Sequence, residues 1–242
     1  MKLLDLAFKI FSFGLLIYIG IFIERIGIVS FFEKPVNRYY VYTLIIQHIN
    51  MVLISMLIAT IIGLLVGIVF TRGRFKKYAF IALYIVGLGQ SIPVLAFLAF
   101  SLLLVGIGFK SAIVALIVCS IIPIARNTLA GINSVDPSIV DAAKGMGLSS
   151  NRILFEIELP LSAGIIITGV RVALIINIST ASLASLIGAG GLGELIFAGI
   201  ALMDSTRLIS GATITALLAL TADFLCSYFY EILIPEGVKI GA

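Results

Sequence analysis

Three groups of residues in the 242-residue chain have types and spacings that could do chemistry. Gly188, Gly190 and Gly193 match G-x-G-x-x-G. That pattern cradles a dinucleotide pyrophosphate when a strand precedes it and a helix follows. Here it closes a long apolar segment, so dinucleotide binding is excluded. Asn177, Ser179, Thr180, Ser182 and Ser185 crowd the end of that same segment. Arg171 and Asp223 carry opposite charges inside two different apolar segments. His48 is the only histidine, and neither Cys119 nor Cys226 has a Cys or His neighbour at metal-ligand spacing. No metal site is expected, and both cysteines read as small buried hydrophobes. A serine hydrolase would need a Ser–His pair, and His48 has no evident serine partner. The sequence also lacks G-x-x-x-x-G-K-[ST], so the chain is not expected to be an enzyme that hydrolyses ATP.

The elements that must hold these residues follow from hydropathy. Apolar residues make up 61% of the chain and charged residues 12%, with a mean hydropathy of +1.24. Soluble domains carry about 25% charged residues. Tyr39 to Thr71 and Tyr78 to Phe109 contain no Asp, Glu, Lys or Arg. About 20 apolar residues cross a bilayer as a helix. Barrel strands would instead alternate apolar and polar residues over about 10 residues. The expected fold is all-α, a polytopic membrane protein of about six spans. The net charge of +4 is a topology signal rather than a nucleic-acid footprint.

The expected spans run from Ile10 to Ile23, Thr43 to Phe70, Tyr78 to Val105, Ser111 to Ile124, Leu161 to Ile187 and Leu208 to Tyr230. The first follows Lys2, Asp5 and Lys9 and has no A-x-A cleavage site, so it reads as an uncleaved span. The third is too long for one helix across about 30 Å of hydrocarbon. Gly87, Gly89 and Pro93 mark its break. Gln90 and Ser91 at that break could line a polar path, because irregular backbone at depth is tolerated beside a cavity. Ten Lys and Arg against five favour placing Arg72 to Lys77, both termini and the stretch from Arg126 to Glu158 on the cytoplasmic side.

That stretch has its own grammar. Asp136 and Pro137 predict a helix start, Gly145 and Gly147 its end, and Ser149 or Ser150 the cap of a second short helix reaching Leu159. Pro160 would then open the next span. An exposed elbow rich in Ala, Gly and Leu suits docking into a groove on another protein. Asp141-Ala142-Ala143, Gly147, Ile157, Leu159 and Pro160 resemble the EAA loop of membrane subunits of binding-protein-dependent ABC importers, with Asp141 in place of the more usual Glu. Leu88 to Pro93, Asn177 to Ala181, Leu183-Ala184, Ile187 to Gly193 and Gly199 to Leu202 are similar to permeases of the glycine betaine, choline and carnitine group. Methionine-type permeases share the Gly-Ala-Gly-Gly-Leu-Gly run, so that run alone does not fix the substrate.

The resemblance implies a single permease domain over residues 1–242, a five-helix importer core plus one N-terminal span, with its coupling loop at 130–160. Asp141, Ala142, Ala143, Gly147, Ile157, Leu159 and Pro160 would engage a pair of ATP-binding subunits. ATP and Mg would be bound by those partners, with no cofactor in this chain. A second permease subunit, identical or paralogous, would complete the path, and an extracytoplasmic binding protein would deliver solute. The surroundings are membrane lipid, with no nucleic acid. Gly188, Gly190, Gly191 and Gly193 are expected at a tight outer turn that forms part of a gate. For Gln90, Ser91, Pro93, Asn177, Ser179, Thr180 and Ser182 two readings stay open: hydrogen bonding between helices, or a wetted path for a zwitterion. Arg171 and Asp223 sit at compatible depths and are expected to pair, either structurally or as a substrate site. An ion-coupled secondary transporter is the more distant alternative.

Overall fold

The computed structural model describes residues 24–25 and 27–233, without the side chains of residues 74, 80, 82, 83, 86, 87 and 90. The expected first span, Ile10 to Ile23, lies outside the described residues. No strand occurs among those described. A short helix, α1 (Ile28–Glu33), leads into α2 (Pro35–Val69), which begins eight residues before the expected start at Thr43. At 1.5 Å per residue α2 is about 52 Å long, so it must tilt or overhang a bilayer core of about 30 Å.

The segment from Tyr78 to Val105 breaks as its length requires. It forms α3 (Ala79–Gln90) and α4 (Val94–Val105), separated by Ser91, Ile92 and Pro93. Pro93 takes φ −58° and ψ 135°, an extended conformation that starts α4 in a new direction.

α5 (Phe109–Asn133) is the central helix, packed along α2, α8 and α4. It outlasts the expected end at Ile124 by nine residues. A charge at Arg126 ends the apolar run but not the helix, because Thr128, Leu129 and Ile132 continue its buried face. α2 approaches it closely at Gly63 and Gly67, where an added Cβ would meet Ile124 at 2.8 Å and Thr128 at 2.5 Å. Small residues four apart allow such contact between helices in lipid.

Past Asn133 the chain forms α6 (Pro137–Gly145) and α7 (Ser150–Ile153). A π-turn over Leu154–Glu158 joins α7 to α8 (Leu159–Ala181). The expected break at Pro160 is therefore absent, and the second short helix flows into the span. The π-turn explains this: the Leu159 N–H reaches back to the Leu154 carbonyl. The wider ladder relieves the clash a proline ring makes with the carbonyl four residues earlier. α8 tightens into a 3₁₀ turn (Ser182–Ile187), followed by the glycine run, α9 (Leu192–Ala201) and α10 (Ser205–Leu233). The sequence reading had no helix at α9, whose 10 residues are too few to span.

Among the described residues four helices are long and apolar enough to cross a membrane, with α3 and α4 as two half-length pieces. The main core joins Met51, Met56, Leu98, Leu116, Ile124 and Ile178 from α2, α4, α5 and α8. The chain thus has two ends, one with the elbow at 134–158 and one with the glycine turn at 188–193.

Candidate functional site

At the elbow end, Asp136 caps α6: its Oδ1 accepts the Ser138 N–H at 2.8 Å. That bond holds its carboxyl below the usual carboxylate range. Ser149 caps α7 by accepting from the Arg152 N–H. Gly147 takes φ +81°, the left-handed conformation that reverses the chain between the two short helices. Asp141 and Ala142 face outward, Ala143 packs inward, and Pro160 is exposed, with Ile157 and Leu159 half-buried. Ile139, Met146 and Phe155 add exposed apolar surface beside them. Asp141 pairs with Lys144 at 2.8 Å, and Arg152 with Glu156 at 2.8 Å, both on the open surface. The elbow therefore presents apolar knobs framed by charges.

The glycine end is packed differently. Gly188, Gly190 and Gly191 all take φ between +74° and +81°. The Gly191 N–H donates to Gln47 Oε1 at 3.0 Å. A Cβ on Gly191 would meet Met51 Cε at 2.7 Å and His48 Nδ1 at 3.3 Å. On Gly193 it would overlap the Ser182 carbonyl oxygen. The Gly108 N–H bonds the Ile187 carbonyl at 2.9 Å and ties the turn to the start of α5. α9 folds back beside α10, and Glu194 accepts a hydrogen bond from Tyr40 at 3.0 Å.

Between the ends, the polar residues of α8 separate. Asn177 is 1% exposed and its Nδ2 donates to Ser120 Oγ at 2.7 Å and Ser55 Oγ at 3.0 Å. It joins α2, α5 and α8 in one buried network. Thr180 and Ser182 are buried too, and Ser182 Oγ has no partner among the described residues. Ser179 faces outward and bonds the Ile175 carbonyl at 3.1 Å. Ser91 and Pro93 are exposed at the break after α3, whereas Gln90 closes that helix with a side chain outside the described residues. Ile92, Phe97, Cys119, Pro123 and Ile176 line an apolar cavity of about 190 Å³ beside this break.

Arg171 and Asp223 form a two-point ion pair, with Nη2 to Oδ2 at 2.8 Å. Their side chains remain 39% and 32% exposed, on the outside of the single chain. An ion pair left on a lipid-facing surface is costly, so this face suits a protein or water neighbour.

Several residues of the site escaped sequence reasoning. Gln47 and the fully buried His48, whose Nε2 lies 3.0 Å from the Ile178 carbonyl, form the seat of the glycine turn. Ser55 and Ser120 complete the Asn177 network. Arg72 pairs with Glu158 at the base of the elbow. The available signal was a lone polar residue inside an apolar helix, which marks contact with another helix.

Residues 59–236 match the family described as the binding-protein-dependent transport system inner membrane component. The chain belongs to that family. The permease is also 40% identical to the osmoprotectant import permease protein OsmY of Salmonella typhimurium, over 94% of this chain and 95% of the relative. It is 38% identical to the choline transport system permease protein OpuBB of Bacillus subtilis, over 80% of this chain and 88% of that one. The identity is 33% with the carnitine transport permease protein OpuCB of Listeria monocytogenes, over 88% and 96%. Among solved structures, inward-facing conformations of the MetNI methionine ABC transporter superpose with a TM-score of 0.75 at 22% identity, covering 84% of this chain and all of that one. An amino acid ABC transporter described with histidines superposes at 0.69 and 20% identity, covering 83% and 97%. At these identities the likeness shows the fold. The protein is thus an ABC importer permease subunit and a multi-pass inner membrane component.

Proposed function

We propose that the permease forms the translocation path for a quaternary-ammonium osmoprotectant such as glycine betaine, choline or carnitine. The observation that carries the substrate class is the 33–40% identity, along most of the chain, to permeases named for osmoprotectants, choline and carnitine. The chain supplies no catalysis of its own. The elbow from Asp141 to Gly147 docks on an ATP-binding subunit, which brings ATP and Mg, and its closure drives the bundle between inward-open and outward-open states. The exposed Ile139, Met146 and Phe155 support that contact. A second permease subunit covers the face bearing Arg171 and Asp223; the exposure of that ion pair on the outside of the single chain supports a two-chain path. The elbow and both termini lie on the cytoplasmic side, and an extracytoplasmic binding protein delivers solute at the glycine end.

The residues fit a path with little affinity of its own. Aromatic cages favour quaternary ammonium groups, and Trp supplies the best of them. This sequence has no Trp. Recognition therefore rests with the binding protein, and the path needs only polar steps such as Ser91 and Ser179.

Cells lacking other uptake systems for these solutes test the reading. Expression of the permease with its neighbouring transport subunits should restore uptake of radiolabelled choline, carnitine or glycine betaine, and lose it when the ATP-binding subunit is inactivated. Uptake of methionine with none of the three would replace the substrate class.

A further inference from the structure

α6 touches α7 and packs inward through Ala143, which is 1% exposed. Between the elbow and the adjoining ends of α2 and α5 lies a solvent-open polar cleft of about 160 Å³, lined by Thr71, Lys76, Asn133, Asp141, Lys144 and Glu158. The elbow continues through the π-turn into α8, which carries its movement along that helix. A route into α2 needs a separate contact.

An ion pair crosses from the elbow's base to the turn that follows α2. Glu158, the last residue of the π-turn, is 8% exposed and accepts a hydrogen bond from Arg72 Nη2. Arg72 lies three residues beyond the end of α2 at Val69. The same helix, at its far end, presents Gln47 and His48 to the glycine turn. We propose that the Arg72–Glu158 ion pair is the link that transmits elbow displacement into α2, and through α2 to the Gln47–Gly191 contact. Arg72 and Glu158 are then positioning residues for the transport cycle. The inference rests on the importer reading above and adds the route of coupling to it.

The chemistry of the pair suits a link that must hold through movement. A buried charge left alone is strongly unfavourable, so the two ends stay together as the elbow shifts. Arg72 Nε is buried without a hydrogen-bond partner among the described residues. The guanidinium can therefore turn from a one-point to a two-point grip on Glu158, and gain a bond by doing so. A coupling element needs two discrete arrangements of this kind.

The test uses the purified complex of permease, ATP-binding subunit and solute-loaded binding protein in proteoliposomes, reading solute transported per ATP hydrolysed. Arg72→Ala leaves the buried Glu158 without its partner and is expected to lower the yield of complex as well as transport; Glu158→Ala leaves the half-buried Arg72 unpaired and should lower the yield less. The double variant R72A/E158A removes both charges. It should assemble at wild-type yield and hydrolyse ATP, with transport per ATP reduced at least tenfold. The exchanged pair R72E/E158R should recover at least a third of the wild-type ratio. A double alanine variant that transports within twofold of wild type per ATP would show the pair to be structural and overturn the proposal. Failure of the double variant to assemble, with no recovery in the exchanged pair, would overturn it equally. If the wild-type complex itself moves no solute, the importer reading fails instead.

Discussion

The two ends of the permease use glycine for opposite purposes. At the turn from Gly188 to Gly193 the backbone is pressed against its neighbours, with Gly191 on His48 and Met51 and Gly193 on the Ser182 carbonyl. At the elbow, an added Cβ on Gly145 or Gly147 would meet nothing within 4 Å. One end is a fitted joint that needs the absence of a side chain. The other is a free bend, where Gly147 needs only its φ of +81°. In an importer that division makes sense. A joint that sealed a path would need close packing, whereas a handle for another subunit would need an open surface.

The contrast can be broken by substitution. The largest effect is expected for Gly193→Val, where the branched side chain would collide with the Ser182 backbone. Ordinary overpacking costs about 1–3 kcal/mol, and a backbone obstacle cannot rotate away. Uptake should fall at least tenfold in cells, read with radiolabelled choline. Next comes Asn177→Leu, which strips the partner from Ser55 and Ser120 in the buried network. Each lost hydrogen bond between membrane helices is worth about 0.6–2 kcal/mol. A thermal shift assay on the detergent-solubilised permease should show a lower midpoint, and Ser179→Ala, on the outward face, should not.

At the free bend the same chemistry should do less. Gly147→Ala places a side chain in the left-handed region, at about 1–2 kcal/mol. Gly145→Ala meets neither strain nor a neighbour within the chain, and should leave the midpoint of the isolated permease unchanged. A loss of uptake at Gly145 with an unchanged midpoint would place the partner's surface against it. The smallest effect concerns pH. The Asp136 carboxyl is held low in the folded chain by the Ser138 N–H. Its contribution to α6 is therefore present above the ordinary carboxylate range and lost as pH falls through the lowered value. Hydrogen exchange across 137–145 should quicken on that acid limb in the wild type, and show no such step in Asp136→Ala.

Much of this division was legible in the residues. Asp136-Pro137 announced α6 and Gly147 its reversal, because caps and left-handed turns are local choices. The break at Ser91 to Pro93 followed from length and one proline. What stayed hidden depends on partners distant in sequence. α9 is too short for a spanning pattern, and its buried Leu192 and Leu195 pack on Val41 and Leu44 of α2, about 150 positions away. Gln47 and His48 look like stray polar residues in a long apolar helix until the glycine turn lands on them. The pairing of Arg72 with Glu158 spans 86 positions, and the basic cluster around Arg72 reads first as a topology signal. Continuity through Pro160 was missed because a π-turn leaves no compositional mark.

The account stands on the elbow as the point where an ATP-driven partner grips the bundle. The most direct measurement is co-purification of the ATP-binding subunit with the tagged permease, comparing wild type with a chain whose residues 141–147 are replaced by a flexible Gly-Ser segment. The account predicts stoichiometric recovery with wild type and loss of the subunit with the replacement, while the permease itself remains folded in the membrane. Undiminished recovery of the ATP-binding subunit with the replaced elbow would contradict it.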